Sequence, residues 1–418
     1  MTAGPAWSPR QAMHDLFLAG VDAARARHYL ARHLPTDRPA GVTAMIALGK
    51  AAGDMAQVAL EHMSVARGLV VIPKGGLPPG FAPPPQIDVI TAAHPVPDAE
   101  SERAGREALA LAQSLGPDDR LLVLVSGGGS SLMTVPRDPL TLSDLVGIND
   151  ALLRSGAPIS AMNTIRRALC AVKGGGLARA AGPAEVITLV LSDVPGDELA
   201  MVASGPTVLM PSDENWREDA ARYNIAVPPV SVPPPHLPAS HVQAPRLVGS
   251  AAVSLAAMAK LAQEMGFTAI SLGDDLEGDA ASLAEHHAAL AMSYATGSRP
   301  VALLSGGETT VAIGAKGGRG GRNQTYALAL AIALEAHPHI HAFAADSDGI
   351  DGNSPLAGAM IFPDTLVRCN ELSLKAERFL ADCDSTRLFE SLGDGLETGP
   401  TFTNVNDLRC ILVRPPGC

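Results

Sequence analysis

Short, uninterrupted apolar runs alternating with amphipathic stretches dominate this 418-residue chain. From about Arg10 to His33 apolar residues recur at helical spacing in a segment rich in Ala and Arg. The run Val42–Leu48 predicts a strand that stops at Gly49-Lys50-Ala51-Ala52-Gly53, a tight turn, with a helix on to about His62. Gly68–Pro73 and Ile87–Ala92 read as further strands, and a helix opened by Asp98, Glu100 and Glu102 runs to Leu115. Arg120–Val125 is apolar almost throughout, as a strand buried on both faces must be, and it halts at Ser126-Gly127-Gly128-Gly129-Ser130-Ser131. Helical stretches follow over Leu142–Ser155 and Asn163–Leu177, then a strand over Ala184–Leu191 that ends in Ser192-Asp193-Val194-Pro195-Gly196-Asp197.

Between about Ala226 and Pro245 the pattern breaks into a Pro-rich, charge-poor segment that suits an extended connector rather than helix or central strand. Beyond it the alternation resumes. Strands are expected at Arg246–Val248, Thr268–Ser271, Val301–Leu304, His341–Ala345 and Arg409–Val413, and helices at Ala251–Met265, Asp279–Thr296 and Gln324–Leu334. The expected class is therefore α/β in two domains. A larger, doubly wound (Rossmann-like) parallel sheet would occupy residues 1–235, and a smaller α/β domain residues 236–418. The segments 121–131 and 301–310 both pair an apolar strand with Ser-Gly-Gly, which either duplication or chance recurrence of a common turn would produce.

Composition sharpens this. The chain is 47% apolar but only 3% aromatic, so small side chains must carry the packing, as in layered α/β proteins. A net charge of −12 argues against nucleic acid or an anionic membrane as partner. Local clusters of Lys, Arg and glycine become informative against that background. Five scattered cysteines without a CxxC fit neither a disulfide framework nor a zinc site, and suggest a reducing compartment. With no secretory signal pattern at its start and no apolar run of membrane-spanning length, the chain reads as cytoplasmic. A homodimer is allowed but not required.

Several loops at strand ends carry candidate chemistry. Ser126, Gly127, Gly128, Gly129, Ser130 and Ser131 would let backbone N–H groups approach an anion, helped by hydroxyls and a following helix. The loop is neither a P-loop nor GxGxxG. Lys50 could neutralise a phosphate or carboxylate, or be a solvated lysine at a helix start. His94 is a weaker candidate, and Asp98 is better read as a helix cap. Arg166 and Lys173, the latter beside three glycines, form a basic cluster; Arg166 and Arg167 cannot both face one site. Asp193 could bind a cation or act as a base. Ser305, Gly306, Gly307 and Glu308, then Arg319, Arg322, Asn323 and Gln324, form the most phosphate-like stretch of the chain. Asp346 and Asp348 are candidate cation ligands, with a turn rich in aspartate as the plainer reading. The inventory of backbone donors, cations and acidic loops, with no GxSxG and no HExxH, suits phosphoryl transfer.

The blocks ALGKAAGDMA, HPVPD, LVSGGGSSL, NTIRR, KGGGLA, LSDVPGD, SGPT, LSGGETTV, GGRGGRNQ, DSDGIDG and GPTFTNVNDL lie in order along almost the whole chain. Together they resemble the glycerate kinases that carry a C-terminal MOFRL domain. The resemblance implies ATP-dependent phosphorylation of D-glycerate at the 2-hydroxyl, with Mg²⁺ and an active site in the cleft between the two domains. It implicates Lys50 and Arg322 in activity and makes Asp193 a candidate base. Two alternatives stand beside it: a hydroxypyruvate reductase, for which a dinucleotide fingerprint is missing, and a non-catalytic sugar-acid or nucleotide sensor.

Overall fold

The computed structural model describes residues 7–209, 215–232, 241–312 and 317–417. The chain divides into two compact units. One holds Arg25–Asp193 and Asp197–Gly249; the other holds the described residues up to Ala24, Val194–Gly196 and everything from Ser250 onward. This differs from the expected division at 235/236. The helix Pro9–Ala23 buries Met13, Leu16 and Phe17 in one core with Leu255, Met258 and Phe343, so the first helix belongs with the last part of the chain. The strand at 246–249, in turn, completes the sheet of the other unit.

That sheet has strands β1 (Thr43–Leu48), β2 (Arg67–Ile72), β3 (Ile87–Thr91), β4 (Arg120–Val125), β5 (Glu185–Leu191) and β6 (Arg246–Gly249). Their spatial order is β3-β2-β1-β4-β5-β6, parallel throughout. Every residue of β1 and β4 is buried, which is what their nearly unbroken apolar sequences demand. Successive strands build outward from β1 on one side and from β4 on the other, so the order reverses between these two. Open α/β sheets leave a crevice at the carboxyl ends of the strands at such a reversal. Asp98 caps the helix Ala99–Gln113 in a reciprocal box, accepting the Ser101 N–H at 2.9 Å while its own N–H donates to the Ser101 hydroxyl at 3.1 Å.

The other unit contains β7 (Thr268–Ser271), β8 (Leu276–Asp279), β9 (Val301–Thr310), β10 (Ile340–Asp346), β11 (Gly358–Ile361), β12 (Gly395–Leu396) and β13 (Asp407–Val413). Its order is β12-β11-β10-β13-β9-β7, with β8 also on β9. Only β7 and β8 pair in parallel with β9; the remaining pairings are antiparallel. The resumed strand–helix alternation thus builds a mixed sheet. One face carries the helices Pro9–Ala23 and Ala251–Glu264, the other the helices Ala280–Ala295 and Arg322–Ala333. Ala280, Ala284, Ala288, Ala291 and Ala295 form a buried stripe on the third of these helices, where small side chains permit close packing on Arg322–Ala333.

The strand β9 runs six residues beyond its expected end at Leu304 and takes in Ser305-Gly306-Gly307-Glu308-Thr309-Thr310. The second Ser-Gly-Gly is therefore strand, whereas the first is a loop. Gly307 pairs with Asp407 on one side and Leu276 on the other, and a methyl there would lie 2.2 Å from the Leu276 carbonyl oxygen. Close strand packing, not a ligand, accounts for that glycine.

Candidate active site

At the reversal of the parallel sheet, the turns after β1 and β4 interlock. Gly49 has φ +117°, and a methyl on it would lie 2.3 Å from the Ser126 hydroxyl oxygen. Only glycine lets the two turns pass this closely. The Lys50 N–H donates to the Gly127 carbonyl at 2.9 Å. The Ala51 N–H donates to Ser126 Oγ at 3.0 Å, and that hydroxyl donates to the Leu48 carbonyl at 3.3 Å. Ser126 is thus a brace between two loops. Ser131 donates to the Gly128 carbonyl at 3.1 Å, and the Ser130 and Ser204 hydroxyls lie 2.7 Å apart.

The loop hydroxyls expected to serve an anion are therefore engaged within the protein, and the helix after the glycines is the single turn Gly129–Leu132. What the loop still offers is its backbone. The N–H groups of Gly127 and Gly128 have no acceptor among the described residues. Gly128 is left-handed, φ +79°, and a methyl there would come within 3.2 Å of the His94 ring and 3.3 Å of Lys50 Cγ. Two free donors, a half-buried lysine and a histidine thus surround one glycine, an arrangement suited to an anion.

A second layer supports it. Ala203, Ser204 and Gly205 are all left-handed (φ +51°, +59°, +57°), and each strained non-glycine residue costs roughly 1–3 kcal/mol. The strained carbonyls receive the glycines of the basic loop: the Gly174 N–H donates to Ser204 O at 3.0 Å and the Gly175 N–H to Gly205 O at 2.8 Å. Through Ser204, which also meets Ser130, the segment 173–175 is locked beside the 126–131 loop. Lys173 is only 5% exposed, and its ammonium makes no hydrogen bond among the described residues. Arg166, from the helix Ile159–Leu169, donates through Nε to Asn149 Oδ1 at 2.9 Å and through Nη1 to Asn163 Oδ1 at 3.4 Å. Neither cation has a carboxylate partner among the described residues, and burial lowers the pKa of both, with repulsion from Arg166 adding to the effect on Lys173. Arg167 turns elsewhere and packs under Gly174. Asp193 stands half-buried immediately after β5, the neighbour of β4.

The arginine-rich stretch of the other unit is arranged differently. Arg322 opens the helix Arg322–Ala333 and meets three carboxylates from adjacent strands. Its Nε donates to Asp407 Oδ1 at 2.8 Å, Nη2 to Asp346 Oδ2 at 2.9 Å and Nη1 to Glu308 Oε1 at 3.0 Å. Burial alone would lower its pKa; Asp407, Asp346 and Glu308 raise it well above the usual value. Asp407 is wholly buried and also accepts from Asn323 Nδ2 at 2.6 Å and from Arg409 at 2.5 Å. Asn323 and Gln324 donate their N–H groups to Asp351 at 3.1 and 2.8 Å. Arg319 pairs with Glu390 at 3.1 Å, while its N–H donates to Asp384. The helix N-terminus that reads as a phosphate site is thus occupied by an internal carboxylate. Burial first, then repulsion from Asp407, pushes Asp351 up to about 6 against the pull of the two amides.

Ser305, Gly306 and Gly307 are buried strand residues, and Glu308 points to Arg322. Asp407, Asp351 and Arg409 were missed as organisers. Asp407 had one visible signal, a carboxylate heading the apolar strand 407–413. Cys170 and Ser204 had none. Among the described residues no group of three or more His, Cys, Asp or Glu side chains is arranged to hold a metal ion. Asp346 gives Oδ2 to Arg322 and Oδ1 to the Asp348 N–H, at 3.1 Å. Asp193, Asp346 and Asp348 do not form a cation cage.

Fold and site together define a two-unit α/β protein that offers an anion unpaired donors at the switch point of a parallel sheet. The comparisons carry this further. Residues 12–232 match a domain of unknown function, DUF4147, and residues 301–407 match the MOFRL family. The glycerate 2-kinase of Pyrococcus horikoshii is 35% identical over 89% of this chain and 88% of its own length. A protein of Agrobacterium vitis provisionally named hydroxypyruvate reductase is 42% identical over 97% of this chain and 95% of its own. The crystal structure of glycerate kinase from Thermotoga maritima superimposes with a TM-score of 0.85 at 32% identity, covering 97% of this chain and 99% of that one. The chain belongs to the glycerate kinase family that carries a MOFRL domain.

Proposed function

We propose that the protein transfers the terminal phosphoryl group of ATP to the 2-hydroxyl of D-glycerate, giving 2-phospho-D-glycerate. The supporting observation is the set of unpaired donors at the sheet reversal: the Gly127 and Gly128 amides, with Lys50, Lys173 and Arg166 around them. In a chain of net charge −12, cations without acid partners are where an anionic ligand would be neutralised. Phosphoryl transfer needs positioning and charge balance more than covalent help from the protein, and these groups supply both.

In this reading Lys50 and the two amides hold phosphate oxygens, and Asp193 accepts the proton of the 2-hydroxyl. Three of the five N–H groups of Arg322 are engaged by Asp407, Asp346 and Glu308, which leaves it an edge for the transferring group. Mg²⁺ would be held mainly by the nucleotide's own phosphates, because the protein's carboxylates form no cage for it, and no step is assigned to it. Free buried cysteines suit a reducing, cytoplasmic setting.

A second reading, reduction of hydroxypyruvate, is favoured by the strand order, which is that of dinucleotide-binding sheets, and by the name of the Agrobacterium relative. Against it, the turn after β1 lacks GxGxxG, and β2 ends in Ile72-Pro73-Lys74 rather than in an acid for a ribose. Incubation with D-glycerate and ATP, followed by ³¹P and ¹³C spectroscopy of the product, tests the proposal beside a parallel assay with hydroxypyruvate and NADH. Phosphate on the 3-hydroxyl, or NADH oxidation without ATP turnover, would refute it.

A further inference from the structure

Lys173 poses a problem that the proposed function leaves open. An ammonium this deeply buried, with no hydrogen bond among the described residues and with Arg166 repelling it, should shed its proton. Its one favourable charge neighbour is Cys170, itself fully enclosed. The surroundings of that sulfur are unusual for a thiol. Pro136 and Cys170 form an isolated antiparallel bridge, which brings Thr134 and Val135 over the side chain. The Thr134 hydroxyl lies 3.4 Å from Sγ, and the Val135 N–H donates to it at 3.4 Å. The Val172 N–H donates to the same sulfur, and the charged groups that act on it are Lys173 and Arg137. Apart from the Thr134 hydroxyl, every polar group on this sulfur is a donor or a cation. A thiol proton has little to bind here, whereas a thiolate has four partners. Burial alone would raise the thiol pKa, yet Lys173 and the donors bring it below the ordinary value.

We propose that Cys170 stands as a thiolate, the counter-ion that keeps the buried Lys173 ammonium charged and fixed beside the phosphate-binding loop. Cys170 is then a positioning residue: it touches no substrate and acts through Lys173. The geometry links it to the site, since Gly174 and Gly175, next to Lys173, hang on the Ser204 and Gly205 carbonyls, and Ser204 meets Ser130. A carboxylate in the same place would bind the ammonium as tightly as a substrate phosphate does. A thiolate is larger and more weakly hydrated, so it sustains the charge while leaving the ammonium available. The role in catalysis rests on the reading of Lys173 as a phosphate ligand; the ion pair itself does not.

The test uses the full-length protein and its thiolate absorbance near 240 nm. The difference spectrum of wild type minus Cys170→Ser at neutral pH should show one thiolate, lost on acidification and absent in Lys173→Met. The alkaline limb of turnover should move down by about 1–3 pH units in Cys170→Ser, because the lysine has lost the opposite charge that held its proton. Circular dichroism checks the fold of each variant, and Cys170→Ala replaces the serine form if that one does not fold. A wild type with no thiolate signal at Cys170, or an alkaline limb unmoved in the variants, overturns the proposal. A fully active Lys173→Met in the presence of the wild-type signal instead removes the reading of Lys173 as a phosphate ligand, and with it the role of Cys170.

Discussion

Asp407→Asn is the sharpest test of how the mixed-sheet unit is held together. Asp407 is wholly buried and ties Arg322, Asn323 and Arg409 into one network. Arg409, only 1% exposed, has no other carboxylate partner among the described residues; its remaining contacts are the Gly306 carbonyl at 3.0 Å, the Thr309 hydroxyl at 3.4 Å and the face of Tyr326. The substitution keeps shape but strands a buried guanidinium, a change that typically costs about 3–5 kcal/mol. Arg322 keeps Asp346 and Glu308 and contributes less to the loss. For a unit of this size each kcal/mol lowers the melting temperature by about 2–4 °C, so a fall of roughly 6–20 °C is expected in calorimetry. The double variant with Arg409→Met should recover most of it, since a matched apolar replacement removes the stranded charge. A drop under about 1 kcal/mol, or a double variant as unstable as the single one, would refute the account of Asp407 as a buried charge hub.

Three further outcomes follow from the same geometry. The folded-state pKa of Asp351, about 6, lies above the ordinary 3.8, so its contribution to stability is full below about pH 4 and is lost as pH rises through 6; Asp351→Asn should flatten urea-unfolding stability across that window, and an unchanged slope would contradict the assignment. Gly128→Ala puts a methyl against His94 and Lys50 at a left-handed position, so the KM for ATP should rise severalfold with a stability loss of only about 1–2 kcal/mol; an unaltered KM would argue against an anion there. Gly307→Ala should act in the opposite way, through the fold: its methyl meets the Leu276 backbone at 2.2 Å, so thermal unfolding should shift strongly, and a purely kinetic effect would restore the phosphate-loop reading of 305–308.

The contrast between those two glycines shows what was legible in the chain and what was not. Continuous apolar runs identified the strands of the parallel sheet to within a residue or two, because a strand buried on both faces leaves no room for polar alternation. The Ser-Gly-Gly at 126–128 and that at 305–307 are locally indistinguishable, yet one is a left-handed turn with free amides and the other a strand squeezed between β8 and β13. Nothing within ten residues of either separates them; the difference lies in which distant strands come alongside. The same holds for charge. Arg322, Asn323 and Gln324 read as phosphate ligands because glycines and cations surround them, but their partners Asp351 and Asp407 are brought up by strands 28 and 85 residues away. Lys173 and Arg166 look like the weaker cluster in one dimension, and in three they are the cations left without acids. Local composition therefore marks where positive charge and backbone donors are available. Whether they are spent inside the fold or left for a ligand is decided by long-range pairing. On that criterion the parallel-sheet unit, more than the Gly-Arg stretch, is where an incoming phosphate finds unmet demand.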